Sequence, residues 1–221
     1  MLVQRLDIHG PEQLVMPQPT MQLGGANAGR DTLAVRLKSR IVLLALFVGS
    51  MWAVFFLSAA MPFLDLNRHG VVPRSLSGLQ GILFAPWLHA SLAHIAANTG
   101  GLLILGWLCM WPRLSNFWEA TVGAMLGAGL CAWLFGTSYS VHIGASGLVF
   151  GYAGYLIARG YYTRKVLALI VALLVMASFG LSLLIGVLPL DPGLSWQSHI
   201  GGLLGGILVV RMGSSGGSRR R

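Results

Sequence analysis

Acidic side chains are scarce. Six Asp and Glu stand against fifteen Lys and Arg in 221 residues, for a formal net charge of +9. Charge of either sign accounts for only 10% of the chain, whereas 55% is hydrophobic. That balance excludes a soluble core and indicates a protein built into a bilayer. The basic excess does not indicate a nucleic-acid partner, because the Lys and Arg are scattered between apolar segments and form no stripe with interleaved aromatics. Cysteine is rarer still. Cys109 and Cys131 both lie inside apolar segments and match neither a disulfide framework nor a metal-ligand spacing, which leaves inert thiols and no metal or cofactor. No internal repeat is visible, which counts against a transporter.

What the chain has is apolar length and glycine. Thirty glycines suit close helix packing in lipid. Residues 1–40 carry Pro11, Pro17, Pro19 and Gly24-Gly25 without a sustained period, which predicts a mostly flexible cytosolic tail and no signal peptide. Six spans are expected after it, at 41–64, 89–111, 117–135, 146–159, 166–190 and 195–210. The domain they form covers 41–211, and 212–221 is a basic cytosolic tail. Between the first two spans, 65–88 is too polar to cross and too apolar for a free loop. It reads as a partly embedded segment with Trp87 at the interface. With both termini inside, 13 of the 15 basic residues are cytoplasmic and only Arg68 and Arg74 lie outside, the bias a multi-pass bacterial inner-membrane protein shows. The fold class is all-α, a polytopic six-helix bundle.

Three of these spans carry polar groups where lipid makes them costly. His94 and Asn98 are four residues apart and share a helix face. Ser146 opens the fourth span within Gly144-Ala145-Ser146-Gly147. About 14 residues run from Ser146 to Arg159, a helix of only ~21 Å, so Ser146 is expected at the floor of a recess. His199 opens the sixth span, with Gly202 and Gly206 on its face. Gly147, Gly151 and Gly154 form a second glycine ridge in the fourth span. If the two ridges meet, Ser146 and His199 face each other at one depth. Taken alone, each feature has a plainer use: a serine at a helix start caps it, and a His/Asn pair bridges helices.

Together they suit acyl transfer. An imidazole can take the serine proton in the transition state and return it to the leaving group. A triad adds an acidic residue, but three of the six acids fall in the tail, Glu119 is at the cytoplasmic edge, and Asp65 and Asp191 are in outer loops. A Ser146–His199 dyad is therefore expected, with Phe150 one turn on to pack against the imidazole. Asn98, His94 and the Ser146 backbone N–H are candidate oxyanion donors. Of the other histidines, His9 and His69 are expected to be solvated, His89 to brace the outer loop, and His142 to belong to the loop before Ser146. The stretch does not match an α/β-hydrolase elbow, since Leu148 stands where its last glycine would be and no strand pattern precedes it.

His89-Ala-Ser-Leu-Ala-His94-Ile-Ala-Ala-Asn98, Gly144-Ala-Ser146-Gly147 with Phe150 and Gly151, and His199-Ile-Gly-Gly202 with Gly206 resemble, in order and spacing, the rhomboid intramembrane serine proteases of the minimal six-span prokaryotic type. The resemblance covers about residues 40–212. It implies that Ser146 is the nucleophile, His199 the general base, and Asn98 with His94 the oxyanion site. It implies cleavage of transmembrane protein substrates near their outer ends, after a small residue, with entry gated by the fifth span and the loop after it. Rhomboid-like proteins that bind without cleaving typically lack the serine or histidine; this chain keeps all four residues. It departs from many members in the first outer loop, where Gln80-Gly81 replaces a Trp-Arg pair, so that loop is expected to be anchored differently.

Overall fold

A computed structural model describes residues 25–191 and 193–217. The expected features at His9 and the prolines of the N-terminal tail lie outside the described residues. The chain divides into two units, 1–37 and 38–221. Of the first, residues 25–37 are helical.

Among the described residues the fold is all-α, with a single isolated bridge, Val71 to His142, and no strand. Six long helices make the bundle: α1 (Gly25–Ala60), α3 (Leu92–Cys109), α4 (Ser115–Phe135), α5 (Ser146–Thr163), α6 (Val166–Gly186) and α7 (Trp196–Gly217). A short helix, α2 (Gly81–Phe84), and four 3₁₀ turns occupy the segment between α1 and α3.

Several helix ends differ from the sequence reading, for local reasons. Helix α1 covers Gly25–Ala60 and so includes residues well before the expected 41, where Leu33, Ala34, Arg36, Leu37 and Lys38 all favour a helix. Helix α1 stops at Ala60, before the expected 64, because Met61 precedes Pro62 and leaves the helical region at φ −128°, ψ 68°. Helix α3 begins at Leu92 and not at 89, since Ser91 is an extended N-cap whose Oγ accepts the His94 N–H. That places His89 in the loop. Helix α4 starts two residues early, at Ser115. Helix α5 continues to Thr163 and ends on Arg164 in the left-handed region at φ 52°. Its 18 residues give ~27 Å, close to bilayer thickness, so the length of α5 alone does not sink Ser146 below the surface. Helix α6 stops at Gly186, ahead of Pro189. Helix α7 runs to Gly217, through the first half of the tail expected from 212.

Helices α1, α3, α4 and α6 are long and apolar enough to cross a membrane. Helices α5 and α7, which carry Ser146 and His199, are diluted by glycine and polar residues. They are the helices the others cover. Helix α5 packs against α3, α4, α6 and α7, and its Tyr152 is fully buried. The Tyr152 hydroxyl lies 2.8 Å from Thr121 Oγ1 of α4, and its ring leans on Phe117.

Helix α7 lies between α4 and α5 on two glycine ridges. A Cβ on Gly202 would meet the backbone of Gly147, and one on Gly206 that of Gly151. The other member of each doublet turns to α4, where Gly201 meets Gly127 and Gly205 meets Gly123. With hydrogen in place of Cβ on both sides, three helices approach backbone to backbone. The α5 ridge was expected. The α4 ridge was not, although the doubled Gly-Gly spacing four apart carries its signal.

The segment 61–88 is pinned by side chains. Arg74 donates from Nη1 to the Leu134 carbonyl (3.1 Å) and the Gly136 carbonyl (2.9 Å), and from Nη2 to Ser138 Oγ (2.6 Å). Trp133 Nε1 donates to the Ser75 carbonyl at 2.8 Å. Trp87 Nε1 donates to Ser50 Oγ of α1 at 2.9 Å. Gln80 only reaches His69 Nδ1, at 3.3 Å. Arg74 therefore anchors the loop that lacks the Trp-Arg pair, and it does so by closing the carbonyl end of α4.

Candidate active site

Ser146 is the first residue of α5, and its side chain does not cap the helix. Ala145 takes the cap position, its carbonyl accepting from the N–H groups of Leu148 and Val149. Just before it, Gly144 has φ +112°, and a Cβ there would stand 2.6 Å from His94 Cε1. Both the backbone and the neighbouring ring require glycine at this position. The turn so formed releases the Ser146 hydroxyl from the backbone and leaves it 2.8 Å from His199 Nε2.

His199 is held on three sides. It is only 4% exposed. Its Nδ1 lies 2.7 Å from the Gly186 carbonyl at the end of α6. A carbonyl can only accept, so Nδ1 carries the hydrogen, and Nε2 presents its lone pair to the Ser146 O–H. The Phe150 ring stacks on the imidazole at 4.1 Å between centroids and 5° between planes. The orienting role a triad gives to a carboxylate falls here to a backbone carbonyl. No side-chain pattern marks Gly186 for that task, and the sequence reading did not find it.

Ser146 and His199 open into a cavity of about 640 Å³ that His94, Ser140, His142, Ser195 and Ser198 also line. Its walls come from the 61–88 segment, α4, His94 of α3, the loop before α5 and the loop before α7. His94 reaches the cavity directly. Asn98, on the same face one turn along, is buried and turns its Nδ2 to His89 Nε2 at 3.1 Å. The same nitrogen of His89 accepts from the Ala145 N–H at 3.4 Å. His89 therefore braces more than an outer loop. It ties α3 to the turn before Ser146.

His142 does not touch Ser146. Its Nδ1 is 2.6 Å from Ser195 Oγ, and its Nε2 is 3.0 Å from Ser140 Oγ. Ser195 in turn meets Ser198 at 2.8 Å. This chain of hydroxyls clips the loop before α5 to the start of α7, one residue from His199. Burial pushes the His142 imidazole below its ordinary pKa. The residues of this clip are too far apart in sequence to have been linked before folding.

Comparison with known proteins agrees with this architecture. A family model for the Rhomboid domain matches residues 77–215. An uncharacterized protein of Mycobacterium tuberculosis is 39% identical over 155 residues, 66% of this chain and 63% of that protein. An uncharacterized protein of Mycobacterium leprae is 35% identical over 154 residues, 66% of this chain and 61% of that protein. RHOMBOID-like protein 4 of Arabidopsis thaliana is 30% identical over 158 residues, 63% of this chain and 37% of that protein. The aligned region thus spans under two thirds of the length of these relatives. The chain belongs to the rhomboid family, and it is an integral membrane protein of the all-α, polytopic class.

Proposed function

We propose that this chain is an intramembrane serine endopeptidase that cleaves transmembrane segments of membrane-protein substrates with a Ser146–His199 dyad. The observation that carries the reading is the 2.8 Å approach of Ser146 Oγ to an imidazole whose other nitrogen is already engaged by a carbonyl. His199 Nε2 takes the hydroxyl proton as Oγ bonds to the scissile carbonyl carbon. The tetrahedral oxyanion is stabilised by the Asn98 amide, His94 and the free N–H groups at the start of α5. As the C–N bond breaks, His199 returns the proton to the leaving amine. Water then attacks the acyl-enzyme, with His199 again as base, and releases the acid and the free serine.

The cavity beside Ser146 supplies room for an unwound segment of substrate and for that water. The protease works in a bacterial inner membrane with both termini cytoplasmic, a placement supported by the basic residues of the inner loops. A rhomboid-like protein that binds without cleaving would not need an oriented imidazole on its serine.

The test is labelling of detergent-solubilised protein with a fluorophosphonate probe, for wild type, Ser146→Ala and His199→Ala. Labelling of the wild type alone supports an activated serine that depends on His199. A folded wild type that does not label refutes the protease reading, and labelling that survives Ser146→Ala refutes the choice of serine.

A further inference from the structure

We propose that His89 is a positioning residue for the oxyanion site. One nitrogen of its imidazole fixes which face the Asn98 amide presents and locks that amide to the turn that delivers Ser146. The inference rests on the oxyanion role proposed for Asn98.

The hydrogen-bond polarity is determined at both ends of the ring. The Ala145 N–H can only donate, and it points at His89 Nε2 from 3.4 Å. The Trp87 carbonyl can only accept, and it lies 3.4 Å from His89 Nδ1. The hydrogen is therefore on Nδ1 and the lone pair on Nε2. Asn98, 3.1 Å from that lone pair, must then offer its NH₂ and not its oxygen. One amide hydrogen is spent on His89, and the second is held in the amide plane, available to an oxyanion.

The position of that amide fits the role. A Cβ on Gly144 would be 3.6 Å from Asn98 Nδ2, so the amide lies against the turn immediately before Ser146. His89 is 3% exposed, which keeps water from replacing it, and its ring meets the His94 ring edge to face at 5.0 Å. Without His89, the Asn98 amide is free to rotate by half a turn. Its oxygen would then face the developing negative charge, and a donor would become a repulsive group. The Ala145 N–H would also be left buried without an acceptor.

The experiment is a double-mutant cycle on the full chain in detergent, read as the second-order rate of fluorophosphonate labelling at Ser146. Phosphonylation also places negative charge in the oxyanion site, so it responds to Asn98. His89→Ala is expected to lower the rate about 10- to 100-fold, below the roughly 10²- to 10³-fold loss typical of deleting an oxyanion donor outright. His89→Gln, whose side-chain oxygen can accept near the Nε2 position, should recover most of it. In an Asn98→Ala background, His89→Ala should cost less than about threefold, because the two act as one unit.

An equal cost in both backgrounds would show that His89 serves the fold alone and would overturn the proposal. A His89→Ala rate unchanged beside a slowed Asn98→Ala would also overturn it, with the oxyanion role of Asn98 left standing. An Asn98→Ala rate at wild-type level would remove both. If His89→Ala does not fold, the same cycle with His89→Asn, which keeps bulk and polarity but falls short of Asn98, reads the same coupling.

Discussion

Adding one methyl group at Gly202 should separate Ser146 from His199. Gly202 lies one turn beyond His199 on the ridge that faces α5. A Cβ there would stand 3.0 Å from the Gly147 carbonyl carbon and 3.2 Å from its Cα, with the carbonyl oxygen nearer still. Ordinary carbon contacts need about 3.5–4.0 Å. The obstacle is backbone on both sides, so no side chain can rotate away, and α7 must withdraw from α5 by about 1 Å. Gly147 is the residue after Ser146, so the retreat acts almost directly on the 2.8 Å dyad contact. A misplacement of about 1 Å at reacting groups can cost about 100-fold in rate. Gly202→Ala is therefore expected to reduce fluorophosphonate labelling about 100-fold and to lower the thermal midpoint. Gly100→Ala, on an exposed face with nothing within 4 Å of the new methyl, should label at the wild-type rate and gain up to about 1 kcal/mol of helix stability. Wild-type labelling and an unchanged midpoint for Gly202→Ala would refute the claim that the glycine ridge sets the dyad distance.

Phe150→Leu keeps an apolar side chain of somewhat smaller volume and removes the flat face under His199. Fold stability should fall by less than about 1.5 kcal/mol, while labelling slows several-fold; an unchanged rate would show that stacking does not orient the base. Arg74→Ala removes the donors that close the carbonyl end of α4 and should speed limited proteolysis within 61–88. Arg74→Lys should restore little, since it lacks the fork that reaches Leu134, Gly136 and Ser138 at once. Burial lowers the His89 pKa from 6.5 to about 4. The unfolded chain takes up that proton as pH falls through 6.5, and the folded chain does so only near 4. The His89 contribution to stability is thus intact above pH 6.5 and lost between 6.5 and 4, by about 3 kcal/mol. The midpoint of His89→Asn, measured from pH 7 to pH 4, should fall less steeply than that of the wild type; parallel curves would refute the assignment.

The class of fold is legible in the chain alone. Apolar runs with few charges require a helical bundle in lipid, because buried backbone groups must be satisfied within each segment. Local spacing was also legible. His94 and Asn98 share a face, Ser146 begins a helix, and the glycines of α5 and α7 fall on single faces, since all of these follow from 3.6 residues per turn. Helix ends were less legible, because they depend on caps such as Ser91 and on the conformation of single residues such as Met61.

What each site residue touches emerges only when the helices pack. Gly186 orients His199 through a carbonyl, and every residue has a carbonyl, so no side chain marks it in the sequence. His89 reaches Asn98 only because Ser91 starts α3 late and leaves His89 in a loop that folds back. His142 meets Ser195 across 53 positions of chain. Such contacts depend on how helices pack, and packing here is set by the absence of atoms at Gly201, Gly202, Gly205 and Gly206, whose partners become known only when the helices meet.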